Sequence, residues 1–356
     1  MKTKNLPTNI KQVRVKRADR DWVGHWYAIA REERGVNDMI GLARYDLRTG
    51  DMQMREVSHE KMDGLGALVH LLRSDGHAAP YVPQGRVKAP SSLAERWQFF
   101  RNFLKASKNR TMDWKVWNPD AKFAASPMVW HVLTREETTA LNARCKKEGF
   151  SQNALLMSHL SRVLGQSLVK PGKSFPWLFP VNMRGAVNLK DSLANHSSAV
   201  GIECHAEVKP SEVHSEIRTQ LKSGTHWGTW WTLNIGKIVG RHGMRWLSHM
   251  RAEKNHWMGT FSHLGAWPYS SGEASGTWGD PNVAWMPGPP GTLNFPVGFA
   301  CMEWFGRLCY TLKIHPAICP EGVERVGSLE KKFRESVLAF ATSENQSIPE
   351  AVRLPL

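Results

Sequence analysis

The sequence predicts a two-lobed α/β (α+β) fold, and three observations predict it. At 356 residues, the length suggests two domains or two lobes around a sizeable core. Stretches that alternate apolar and polar residues, as half-buried strands do, are interleaved with stretches whose apolar residues recur at i, i+3, i+4 and i+7, one face of a helix. Thr134-Arg-Glu-Glu137 is a capping box, which marks a helix start. Hydrophobic residues make up 41% of the chain, which suits a globular protein rather than a disordered one.

Taken in order, residues 1–20 read as a basic tail, in which Lys2, Lys4, Lys11, Arg14, Lys16, Arg17 and Arg20 stand against the single acid Asp19. An N-terminal lobe is expected over 21–122. In it, residues 22–30 and 40–47 look like strands, and Gly50-Asp51 turns the chain into a third strand at 51–58. Leu65, Leu68, Val69 and Leu72 predict a helix after residue 64. Residues 76–92 hold Gly76, Pro80, Pro83, Gly85 and Pro90 and read as loop; a short helix follows at 92–105. A C-terminal lobe is expected over 123–356. It begins with a strand at 128–133, then the capped helix that stops at Gly149, then a helix capped by Ser151 with Leu155, Leu156, Leu160, Val163 and Leu164 on one face. Residues 175–183 and 199–207 look like buried strands. Residues 297–304 and 307–314 form a hairpin turning at Phe305-Gly306, and a last helix spans 323–341. Residues 268–296, rich in Gly, Pro and Ser, are expected to be a lid or a surface excursion.

Several functions are disfavoured. No run of about 18 apolar residues exists, so no membrane span is expected; no apolar stretch follows the first residues, so no secretory signal is expected and the location is read as cytoplasmic. The five cysteines (145, 204, 301, 309 and 319) form no CxxC pair and read as reduced buried thiols. His242, His249, His256 and His263 recur every seven residues, too far apart on a helix to share a metal. The net charge of +15, with a second basic cluster at Arg101, Lys105, Lys108, Arg110 and Lys115, attracts anions in general. No nucleic-acid motif accompanies it, so nucleic acid is not expected as a partner. Trp227, Trp230, Trp231, Trp246 and Trp257 interleave with basic residues; they read as a wall of the core or as a face for peripheral membrane contact.

One segment points to chemistry. His59-Glu60-Lys61-Met62-Asp63-Gly64 has the pattern H-x-x-x-D-G and sits between a strand and a helix. That setting presents one rigid imidazole, which can take a proton from a nucleophile near neutral pH.

This segment, followed in order by the capped helix, Pro180-Val-Asn-Met-Arg-Gly185, Asn195-His-Ser-Ser198, a hairpin and a final helix, resembles the chloramphenicol-acetyltransferase-like superfamily, which includes peptide-synthetase condensation domains. The resemblance covers most of 22–341. It implies mixed sheets packed with helices and an active-site channel between two lobes. It implies transfer of an acyl group from a thioester, on coenzyme A or an acyl carrier protein's phosphopantetheine, to a small-molecule alcohol or amine. His59 would be the general base, and Asp63 would form a buried ion pair with Arg184. Gly64 would leave room for the helix start and the pantetheine arm, and Asn195, Ser197 and Ser198 are oxyanion or substrate-positioning candidates. No metal and no permanently bound cofactor is implied, and a monomer or small homo-oligomer is expected. The alternative is a catalytically silent relative that binds a carrier protein or assembly partner. Ser58 stands where many members carry a second histidine, the chain before the motif is short, and the D-F-G-W-G motif of the plant branch is missing.

Overall fold

The computed structural model describes residues 10–12, 22–77, 79, 81–106, 111–121, 128–189, 191–252, 256–267 and 279–343. Two mixed sheets carry the architecture. The first joins β1 (Ile10–Gln12), β3 (Met52–Ser58), β2 (Met39–Asp46) and β8 (Val283–Gly288) in that order. The second runs β4 (Met128–Val132), β10 (Arg307–Ile314), β9 (Val297–Trp304), β7 (Gly259–Trp267), β5 (Phe175–Asn182), β6 (Ser197–Cys204). Parallel pairs (β1–β3, β5–β7, β7–β9) coexist with antiparallel ones in both sheets.

The helices are α1 (Trp22–Arg34), α2 (Gly64–Ser74), α3 (Leu93–Ala106), α4 (Arg135–Glu148), α5 (Gln152–Leu168), α6 (Arg184–Val187), α7 (Pro210–Lys222), α8 (Thr225–Leu233), α9 (Gly236–Ala252) and α10 (Val323–Thr342). The local signals act as read. Thr134 Oγ1 accepts from the Glu137 N–H while the Glu137 carboxylate accepts from the Thr134 N–H, and Gly149 ends α4 at a left-handed φ of 77°. Ser151 caps α5 through the Ala154 N–H. One core gathers α5, α10 and the inner face of the second sheet around Trp177, Phe261, Phe299 and Phe333. A second gathers α2 and the first sheet around Leu68, Leu72, Trp267, Trp285 and Trp304.

Three readings are corrected. Residues 22–30 are helical, not a strand. The stop signal is Gly35, at φ 60°, whose N–H returns to the Arg31 carbonyl; it closes a helix whose aromatic start resembles a strand. Ile10–Gln12, inside the stretch read as a tail, is a strand parallel to β3. Residues 283–288, inside the expected lid, form β8, buried along its whole length and paired with β2 (Arg44 with Trp285, Leu42 with Pro287). Its proline is tolerated because β8 is an edge of the first sheet and needs no N–H on its outer side.

All five cysteines are buried and free; burial pushes the Cys204, Cys309 and Cys319 thiols up to about 12, so they are inert at neutral pH. Trp227 and Trp230 are buried, as a core wall requires. Of the four evenly spaced histidines, His242 and His249 are exposed on α9 and His263 bonds Gln152. No metal-binding group occurs among the described residues, and no helix there is long and apolar enough to cross a membrane.

Buried histidines set the response to acid. Burial depresses His131, His159, His196, His226, His263 and His315 from 6.5 to about 4. Between those values the unfolded chain binds more protons than the folded one, so stability falls as pH falls through this window. Each such histidine contributes up to about 1.4 kcal/mol per pH unit. A loss of at least about 3 kcal/mol between pH 7 and pH 5 is expected in urea unfolding; an unchanged midpoint would contradict it.

Candidate functional site

The site is built where β3 ends. Past Ser58 the chain turns, with the Lys61 and Met62 N–H groups donating to the Ser58 carbonyl, and the His59 N–H donating to the Asp38 carbonyl at 2.9 Å. Asp63 is the N-cap of α2: its Oδ1 accepts from the Gly66 N–H at 2.9 Å, the usual way to satisfy a helix's first free donors. The same carboxylate meets Arg184. Arg184 Nη1 lies 2.8 Å from Asp63 Oδ2 and Nη2 lies 2.9 Å from Oδ1, a two-point fork with both side chains buried. The His196 N–H (3.0 Å) and the Ser197 hydroxyl (3.2 Å) also donate to Oδ2. Arg184 spends its remaining donors on the Ser192 and Ala194 carbonyls and Asn182 Oδ1. Every guanidinium N–H therefore has an acceptor, which a buried cation requires. Burial alone would raise the Asp63 pKa; Arg184 and the backbone donors outweigh it and hold Asp63 below its ordinary value.

A second clamp grips the other side of the loop. Asp38, buried, accepts from the Ser58 hydroxyl (2.5 Å) and the Glu60 N–H (3.1 Å) and pairs with Arg31 of α1 at 3.3 Å. Arg31 also pairs with Glu60. One turn earlier on α1, Tyr27 stacks on His59, with ring centroids 4.1 Å apart and planes 13° from parallel. Sequence reasoning missed Tyr27, Arg31, Asp38 and Glu60. The helix-stop glycine at 35 was the signal that would have put Tyr27 and Arg31 on one helix face, four residues apart.

The structure brings His59, Asp63, Arg184, Asn195 and Ser197 together. Asn195 Nδ2 lies 2.8 Å from His59 Nδ1 and donates to the His59 carbonyl at 3.1 Å, while its Oδ1 accepts from the Ser197 N–H. Those two neighbours fix the amide orientation, so Nδ1 faces a donor and presents its lone pair. The proton of the neutral ring then sits on Nε2. Asn195 thus acts on the imidazole itself. Ser197 serves Asp63. Ser198 points the other way and donates to the His226 carbonyl at 2.6 Å, because successive strand residues face opposite sides of the sheet. Burial lowers the His59 pKa below 6.5; Asp63, the His59 carbonyl, Asp38 and the Met62 carbonyl offset this only in part. The ring is therefore neutral at pH 7.

The two glycines at the start of α2 differ. A Cβ on Gly66 would lie 2.0 Å from the Leu193 carbonyl oxygen, whereas one on Gly64 would meet the movable Leu264 side chain at 3.0 Å. Gly66→Ala is expected to destabilise by more than about 2 kcal/mol, since backbone must move, and Gly64→Ala by under about 1 kcal/mol. Urea denaturation of the two variants checks the order. A cavity of about 680 Å³ is lined by Trp22, Val187, Leu189, Trp230 and Lys237, and the Trp230 ring lies 6.2 Å from that of His196.

No family model matches the sequence, and no curated protein matches it. Solved structures do. The first condensation domain of the CDA synthetase is similar over 96% of this chain and 78% of its own length, with TM-score 0.52 and 13% identity. The epimerization domain from the third module of tyrocidine synthetase B is similar over 93% and 79%, with TM-score 0.51 and 13% identity. Trichothecene 15-O-acetyltransferase from Fusarium sporotrichioides is similar over 93% and 77%, with TM-score 0.51 and 15% identity. The two mixed sheets packed with helices are the fold that these condensation, epimerization and acetyltransferase structures share with this chain.

Proposed function

We propose that the protein is an acyltransferase that moves an acyl group from a thioester, on coenzyme A or a carrier protein, to a hydroxyl or amine, with His59 as general base. The observation that carries this reading is a neutral imidazole held on a loop clamped from both sides, by Asp63–Arg184 and by Arg31–Asp38. A nucleophile attacking a thioester must lose a proton, and a positioned base speeds such a step roughly 10²–10⁴-fold. Turnover needs the lone pair on Nε2, which the tautomer with its proton on Nδ1 supplies; the backbone of His59 and Met62 favours a protonated ring. The cavity whose lining residue Trp230 lies 6.2 Å, ring to ring, from His196 has the volume of a small-molecule site. Similar folds named as a 15-O-acetyltransferase and a condensation domain agree with this class of reaction. Asn195 would position His59, and the thioester is a co-substrate rather than a resident cofactor.

A second reading, a catalytically silent relative that binds a carrier or assembly partner, is favoured by one observation: with Asn195 donating to Nδ1, the resting ring offers a proton at Nε2 rather than a lone pair. Free-thiol and intact-mass monitoring against a panel of acyl-CoAs and acyl carriers separates the two. Thiol release that depends on an acceptor supports transfer. Carrier binding without release, in the presence of alcohols and amines, supports the silent reading.

A further inference from the structure

We propose that α3 is a docking face for an anionic lipid surface. The helix has two apolar sides. The inner side seats Phe99 over Gly224 and Phe103 over Gly228, where an added Cβ would lie 2.2 and 2.1 Å from those side chains, and Asn102 Nδ2 donates to the Ser223 carbonyl at 2.7 Å. α3 is thus firmly packed on α8. The outer side carries Leu93, Trp97, Phe100 and Leu104, at i, i+4, i+7 and i+11 of one helix, so they form a single narrow stripe. Leu93, Trp97 and Leu104 are 80%, 61% and 53% exposed, and none of the 14 residues of α3 is buried. At 100° per residue Arg96 borders the stripe on one side and Arg101 and Lys105 on the other, while Glu95 falls on the far side. Among the described residues none of these three cations makes an ion pair.

Apolar side chains with a tryptophan at the centre and basic residues along both margins are what an interfacial helix presents to acidic headgroups. α9 also exposes Ile238, Trp246 and Met250, but its Arg241 and Arg245 are occupied by Glu32 and Glu33 of α1, so those arginines are less available to headgroups than the cations of α3. The stripe lies along the outer side of a helix and not in a groove, and a lipid surface, unlike a protein partner, needs no matching shape. A second copy would set the arginines of one α3 against those of the other. The N-terminal segment is itself basic. The inference is independent of the proposed acyl transfer.

The test is flotation of the full chain with vesicles of phosphatidylcholine alone and with about one third phosphatidylserine. The wild type is expected to float with the anionic vesicles, and the Leu93→Ser, Trp97→Ser, Leu104→Ser variant to bind roughly tenfold more weakly or worse, with an unchanged melt because these side chains touch solvent. Arg96→Glu with Arg101→Glu, which leaves the stripe intact, is expected to abolish the salt-sensitive part of binding and serves if the first variant misfolds. Failure of the wild type to float overturns the proposal. So does full binding by the serine variant, which would assign the effect to the N-terminal basic residues. Loss of a wild-type dimer in that variant by light scattering, or saturable binding of an acidic carrier protein at α3 without flotation, would assign the face to a protein and likewise overturn it.

Discussion

Arg184→Ala is expected to lower stability by about 3–5 kcal/mol, because the Asp63 carboxylate stays buried after its cation is removed. Domains have only about 5–15 kcal/mol to lose, so much of the variant's reserve disappears. The loss extends beyond one contact. The Ser192 and Ala194 carbonyls lose donors, the segment 192–197 loosens, and with it Asn195, which holds the His59 ring. Asp63→Asn is milder: the amide oxygen still accepts from the Gly66 N–H, but the fork to Arg184 loses its charge. Coupling decides the matter. A double variant, Asp63→Asn with Arg184→Ala, is expected to be more stable than the sum of the single losses, since it leaves no lone buried charge. Urea denaturation measures all three; equal midpoints for wild type and Arg184→Ala would remove the ion pair from the account.

His59→Ala is expected to fold normally and to lose about 10²–10⁴ in turnover with whichever thioester the wild type uses. The two clamps do not depend on the imidazole: Asp63 bonds Arg184, Gly66, His196 and Ser197, and Asp38 bonds Arg31, Ser58 and Glu60. The loop should therefore keep its shape. Removal of the ring uncovers one face of Tyr27, a small packing change. In the wild type, activity should rise with pH through a value below 6.5 and then level off, since the ring must be neutral to accept a proton. Unchanged thiol release in His59→Ala would refute the base assignment while leaving the fold untouched.

Much of the site was legible because its signals are local. A histidine after an alternating strand, an acid three residues before a glycine N–H, and an apolar helix face together define the loop, and the resemblance supplied Arg184. The rest depended on partners distant in sequence. Residues 22–30 carry two tryptophans and a tyrosine, which fit a strand as well as a helix; only packing on α9 and the glycine stop at 35 decide it. Asp38 and Glu60 read as surface acids until Arg31 is placed between them. Ser197 and Ser198 were given equal standing, although strand alternation lets only one of them reach Asp63. Nothing near Gly66 announces its tightness, because the clash is with the carbonyl of Leu193. β8 was obscured by its own proline, Pro287, which an edge strand accepts and a central one does not.

The pairing of β2 with β8 carries a consequence for biogenesis. Asp46 lies opposite Val283, so a nascent chain leaving the ribosome cannot complete its first sheet until most of the polypeptide has been synthesised. Closing so long a loop is slow, and β2 meanwhile offers an open edge to other chains. A fragment ending before residue 283 should aggregate rather than fold, and adding the missing portion as a separate polypeptide should rescue it only when the two are made together.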